Sequence, residues 1–112
     1  MPDCIFCKVA AGQIPATVVK RADGFLAFRD LHPQAPTHLL VIPTAHVASL
    51  NEARNANLLG SLLAFARDLA QEQGIAERGY RVVVNTNADG GQTVSHLHLH
   101  LLGGRPMTWP PG

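Results

Sequence analysis

The segment "SHLHLHLLGG", residues 95–104, alternates histidine and leucine with a strict period of two. In an extended strand successive side chains face opposite ways. Leu97, Leu99 and Leu101 therefore share one face, and His96, His98 and His100 share the other. The leucine face belongs to a core, which leaves three imidazoles together on an exposed strand face. Only the glycine-rich turn "NADGGQT" (87–93) separates this segment from "YRVVVNT" (80–86), a second β-rich run. That connection is too short for a helical crossover, so the two strands pair antiparallel.

The remaining elements fit around this pair. Asp3 is placed to cap a short helix over residues 4–11, with Gly12 as its stop. "TVVKR" and "FLAFRD" are short β runs joined by Ala22-Asp23-Gly24, a hairpin signal. The Pro-containing "DLHPQAPT" reads as a loop and "HLLVIP" as a buried strand ended by Pro43. From Asn57, apolar residues at 58, 59, 62, 63, 65, 66, 69 and 70 follow helical spacing until Gly74, predicting the one long helix. The tail "RPMTWPPG" cannot extend a strand, yet it carries the only tryptophan, and Trp109 is expected to dock on a surface such as another subunit.

A chain of 112 residues has room for one core, so residues 1–112 are read as a single α+β domain with one site. A formal charge of +1, with 15% charged residues, lacks the basic excess of a general polynucleotide binder. No segment reaches the apolar length of a membrane span, and "MPDCIFCKVAAG" does not resemble a secretory leader, so a cytoplasmic protein without a membrane partner is expected.

Two chemistries would use three facing imidazoles. Two or three could ligate a metal that activates water. Alternatively, one neutral imidazole is a nucleophile that forms a phosphorus–nitrogen bond while its neighbours orient it and handle protons. The two consecutive glycines just upstream favour the second, because their amides can approach phosphate oxygens closely. A neutral nucleophilic imidazole attacks through one nitrogen only if the other keeps its proton. It therefore needs an acceptor, most simply a carbonyl of its own strand.

"HLHLHLL" resembles the His-x-His-x-His-x-x signature of the histidine triad (HIT) superfamily. "DLHPQAPTHLLVIPTAH", "GYRVVVNTNADGGQTVSHLHLHLLGG" and "WPPG" are similar, in order and spacing, to its nucleotide-binding branch of purine nucleoside phosphoramidases. The resemblance implies a HIT fold: a five-stranded antiparallel sheet with one long and one short helix, continued across a homodimer. It implies cleavage of the P–N bond of adenosine or guanosine 5′-phosphoramidates, giving AMP or GMP and an amine. Catalysis would fall to His98 as nucleophile, with His100, His96 and His38 in support, and would require no cofactor.

The same resemblance places the phosphate at Asn85, Gly91, Thr93 and Val94, and the ribose at Asp30 and Leu31. The base would lie against Ile5, Phe6, Val9, Ile14 and Phe28, although an aliphatic cluster of this kind is commonly plain core. Asp30 also suits a turn residue ahead of Pro33, and His32 reads as a solvated loop residue.

Cys4-x-x-Cys7 has the spacing of half a zinc site. The resemblance implies His46 and His96 as the other two ligands of a closed, structural Cys2His2 centre, which would pin His96 and leave His38 to support His98. An unliganded packed dithiol and a redox pair are the other readings of the cysteines. For the whole chain, the competing readings are a three-histidine metallohydrolase, a nucleotide-binding or interaction module without turnover, and a dinucleoside polyphosphate hydrolase or nucleotidyltransferase. "WPPG" and Thr93 argue against the last group.

Overall fold

The structure, a computed structural model, describes residues 3–112. Its elements in chain order are α1 (Ile5–Ala10), β1 (Val18–Ala22), β2 (Phe25–Arg29), β3 (Thr37–Pro43), a 3-10 turn (Leu50–Glu52), α2 (Ala56–Glu72), β4 (Tyr80–Val83), the one-turn α3 (Asn87–Gly90) and β5 (Leu99–Gly103). The strands form one antiparallel sheet in the order β1-β2-β3-β5-β4.

Local chemistry explains most boundaries. Ala22 pairs with Phe25 across a two-residue turn in which Asp23 (φ 57°) and Gly24 (φ 83°) are both left-handed, the conformation that matches the twist of a hairpin. Asn55 caps α2, its side-chain oxygen accepting from the amides of Asn57 and Leu58 at 2.9 and 3.3 Å.

Burial then divides the sheet into two faces. Leu62, Phe65, Ala66 and Leu69 of α2 pack with Phe25, Ala27, Leu39, Val41, Leu97, Leu99 and Leu101. On the opposite face Phe6 and Val9 of α1 cover Leu26, Phe28, Leu40 and Ile42. The central strand β3 is thus buried on both sides, which is why "HLLVIP" is a continuous apolar run rather than an alternating one. His100 is the register partner of Leu40, so it emerges on the α1 face beside His38, two residues along β3.

Several sequence expectations are corrected. The cap of α1 is Cys4, whose sulfur accepts from the Cys7 amide at 3.3 Å, and not Asp3, which is exposed. The last paired strand is Leu99–Gly103, so His96 and His98 lie in the approach to it, where the Leu97 amide bonds the Val47 carbonyl at 2.7 Å. The leucine and histidine faces still separate as expected, but the histidine face is covered by α1: His96 and His98 are buried. "NADGGQT" is a single helical turn ending at left-handed Gly91 (φ 78°). Trp109 is 81% exposed and has not docked on its own chain, although the Arg81 guanidinium ties the tail to β4 through the Thr108 carbonyl at 2.9 Å.

Candidate active site

His98 Nδ1 lies 2.7 Å from the His96 carbonyl oxygen. A carbonyl only accepts, so Nδ1 carries the proton and Nε2 holds the lone pair. Edge-on contacts fix the ring plane: Phe6 stands at 5.1 Å and 88° between planes, and His100 at 5.1 Å and 61°. The imidazole is thereby set in one orientation, with the lone pair of the neutral ring on Nε2.

A second chain of hydrogen bonds orients His100. The Gln34 amide donates to His38 Nδ1 at 3.0 Å, so neutral His38 keeps its proton on Nε2. That nitrogen lies 2.9 Å from His100 Nδ1 and 3.4 Å from Asp30 Oδ2. His100 Nδ1 is then an acceptor, and its own proton sits on Nε2 as a donor. Burial lowers the pKa of His38, opposed by the Asp30 carboxylate. Burial, with His98 and His38 nearby, pushes His100 down to about 4, again opposed by Asp30. Both rings are neutral at pH 7, as this bond pattern requires.

Asp30 has two roles at once. Oδ1 accepts from the His32 amide at 2.8 Å, the turn function its position suggests, while Oδ2 faces His38. Of the expected base set, Phe6, Val9 and Phe28 are buried core, Ile14 packs against them, and Ile5 is half exposed. Leu31 is 88% exposed and forms no wall within the chain. Thr93, Val94 and Ser95 line a cavity of about 380 Å³ with Asp3, Cys4, Ile5 and His46. Asn85 and Gly91 stand at the two ends of the α3 turn, Asn85 partly buried and Gly91 exposed.

The four expected metal ligands converge. Sγ of Cys4 and Cys7 and one nitrogen each of His46 and His96 all lie within 4.8 Å of one another. Cys4 Sγ is 3.2 Å and Cys7 Sγ 3.5 Å from His96 Nδ1, and Cys7 Sγ is 3.3 Å from His46 Nδ1. A tetrahedral zinc with ordinary bond lengths spaces sulfur and nitrogen ligands by about 3.5 Å, so the donor set fits. His96 Nε2 lies 2.8 Å from the Pro43 carbonyl and donates to it, which turns the Nδ1 lone pair toward the thiols. Burial, with Cys4 beside it, raises the Cys7 pKa; burial lowers that of His96 despite Pro43. A second trio, Asp30, His38 and His100, also brings three donors within 4.8 Å, but there the two imidazoles are already hydrogen-bonded to each other.

Two contributors escaped the sequence reading. Gln34 acts through its main-chain amide, which leaves no side-chain signature. Gln92 braces the loop before the triad: its side-chain oxygen accepts from the Asn87 amide, and its nitrogen donates to the carbonyls of Ala48 and Val94 at 2.8 and 2.9 Å.

The chain has clear relatives. The HIT domain matches residues 11–107. Purine nucleoside phosphoramidase of Escherichia coli K12 is 46% identical over 107 residues, covering 94% of this chain and 90% of its own. The 14 kDa zinc-binding protein of Zea mays is 48% identical over 112 residues, covering 96% and 87%. A crystal structure of a HIT family hydrolase from Legionella pneumophila superposes with a TM-score of 0.95 at 57% identity, covering 98% of this chain and 100% of that one. The chain belongs to the HIT domain family and to its hydrolases.

Proposed function

We propose that the protein is a purine nucleoside phosphoramidase that releases AMP or GMP from 5′-phosphoramidates through a nucleotidyl-His98 intermediate. The observation that carries this reading is the His98 Nδ1–His96 carbonyl bond of 2.7 Å, which places the proton of the neutral ring on Nδ1 and leaves the lone pair on Nε2. Similarity to the Escherichia coli phosphoramidase supports the choice of substrate class.

In the first step His98 Nε2 attacks the α-phosphorus, and the phosphorus–nitrogen bond to the amine breaks. Both ring nitrogens of His96 are engaged, by Pro43 and by the thiol cluster, so the leaving amine takes its proton from water. Attack leaves positive charge on the His98 ring, and the His96 carbonyl stabilises its Nδ1–H. His100 donates from Nε2 to a phosphate oxygen, its direction set by His38. Thr93, Val94, Asn85 and the Gly91 turn complete the phosphate seat. In the second step water attacks phosphorus, the Nε2–P bond breaks, and the nucleotide leaves with neutral His98 restored.

Asp30 Oδ2 is assigned to the ribose hydroxyls beside Leu31, since a carboxylate accepts both protons of a diol. The base lies on the face of Ile5, Phe6, Val9, Ile14 and Phe28. Zinc on Cys4, Cys7, His46 and His96 has a structural role: four protein ligands close a tetrahedron with no open position. A homodimer is proposed through β4, an edge strand that carries the exposed Tyr80 and anchors the tail of Trp109. Among the described residues no helix is long and apolar enough to cross a membrane, and we place the protein in the cytoplasm.

The test is AMP release from adenosine 5′-phosphoramidate by the wild type and His98→Ala, each with and without a chelator. Chelator-resistant turnover that is lost in the variant supports this reading. AMP binding without turnover would contradict it and favour a binding module; turnover lost on chelation of a folded protein would favour metal-activated water.

A further inference from the structure

The cysteine–histidine cluster and the nucleophile share more than a neighbourhood. His96 belongs to both: its side-chain Nδ1 faces the thiols, and its carbonyl oxygen fixes the tautomer of His98. Helix α1 also belongs to both. Cys4 is its cap and Cys7 lies in its first turn. Between them Phe6 meets the His98 ring edge-on at 5.1 Å and the His96 ring at 6.0 Å and 69°.

A six-residue helix is too short to be stable on its own, and α1 is held by its cap and by the burial of Phe6 and Val9. The position of the Phe6 ring therefore depends on what holds Cys4 and Cys7. Two routes, one through the His96 main chain and one through Phe6, run from the cluster to the same imidazole. The Phe6 contact with His98 is not a contact with the base, so it gives Phe6 a role beyond lining the base pocket.

We propose that Phe6 is a positioning residue for the His98 imidazole, and that zinc on Cys4, Cys7, His46 and His96 holds it in place, so that metal binding and nucleotide binding are coupled through α1 and His96. The nucleotide half rests on the phosphoramidase reading; the effect on His98 does not. Coupling between sites is reciprocal, so zinc tightens AMP by the factor by which AMP tightens zinc. If Phe6 positions the nucleophile, Phe6→Leu lowers kcat more than it raises KM, and Phe6→Tyr, which keeps a ring edge, restores most of the rate. A residue that only lines the base pocket would raise KM instead.

The experiment follows the His98 imidazole protons by NMR in full-length protein, loaded with zinc or treated with chelator. It measures AMP and zinc affinities by calorimetry on the same samples. The expected result is that zinc slows solvent exchange of the His98 Nδ1 proton and tightens AMP, each by roughly 5-fold or more, the lower end of ordinary allosteric coupling. Phe6→Leu should still take up zinc and lose most of both effects. Phe6→Met replaces it if the leucine variant does not fold. Zinc bound at the cluster with His98 exchange and AMP affinity unchanged would overturn the proposal, as would full coupling in a folded Phe6→Leu or Phe6→Met protein, or failure of the wild type to take up zinc. If zinc protects His98 but AMP never binds, the coupling to the imidazole stands and the nucleotide assignment falls.

Discussion

His38 Nε2 lies 2.9 Å from His100 Nδ1, and the direction of that bond is set from its far end, where the Gln34 amide donates to His38 Nδ1. The sequence of donors runs from a loop amide through two imidazoles and ends on His100 Nε2–H. His98 has the opposite arrangement, with its proton on Nδ1 and its lone pair on Nε2. Two successive histidines of one segment are thus held in opposite tautomers, one presenting an Nε2–H donor and the other an Nε2 lone pair. The proposed chemistry depends on this division.

Breaking the donor chain should slow turnover without emptying the site. His38→Ala removes the partner of His100 Nδ1, so His100 samples the wrong tautomer. We expect kcat to fall about 10-fold, the equivalent of about 1.4 kcal/mol and close to the net worth of one hydrogen bond. AMP affinity should change less. Steady-state kinetics beside calorimetry checks the split, and an unchanged kcat would show that His38 does not support His100 in turnover.

The histidine pair should also appear in the pH dependence of stability. His100 is pushed down to about 4 and His38 is lowered as well, both first by burial. Between the ordinary histidine pKa near 6.5 and about 4 the unfolded chain therefore binds more protons than the folded one. Stability is fully present above about pH 6.5 and is lost as pH falls through that window. The urea midpoint should drop between pH 7.5 and pH 5, and His100→Gln should drop less.

Packing on the helix side of the sheet makes a separate prediction. Leu101 is fully buried between α2 and the sheet, so Leu101→Ala should cost about 2–5 kcal/mol, counting the lost transfer and the cavity. Asn55→Ala removes the α2 cap and should cost about 1 kcal/mol. Chemical denaturation measures both. Equal costs would mean that Leu101 is not packed as described.

Zinc content is expected to be one ion per chain, and Cys7→Ser should lose it with a fall in thermal midpoint. Elemental analysis of purified protein, with thermal melts before and after chelation, decides this. A metal-free wild type whose melt ignores added zinc would leave the cysteines as a packed dithiol.

How much of this was legible beforehand depends on how locally each feature is encoded. Period-two alternation assigned Leu97, Leu99 and Leu101 to the core because side-chain direction in extended chain depends only on the residue's own position. It did not show where strand pairing begins, since that depends on β3 and β4, and Ser95–His98 reach their places unpaired in the sheet ladder. Asp3 was the expected cap because oxygen acceptors dominate helix starts, but Cys4 supplied a sulfur acceptor one residue later. Of the candidate metal ligands, Cys4 and Cys7 were legible from their spacing and His46 and His96 through family resemblance, while their convergence required α1, the His46 loop and His96 to come together. Gln34 was out of reach, because a main-chain amide carries no mark in the sequence. Trp109, exposed at 81%, was expected to dock, and the proposed dimer is where it would do so.

The most direct test of His98 as the nucleophile is to trap the intermediate. Wild-type protein mixed with adenosine 5′-phosphoramidate and quenched within a turnover should gain the mass of one adenylyl group, located by fragmentation on His98, with none in His98→Ala. Turnover without any adduct, or an adduct on His96 or His100, would contradict the assignment of His98 as the nucleophile.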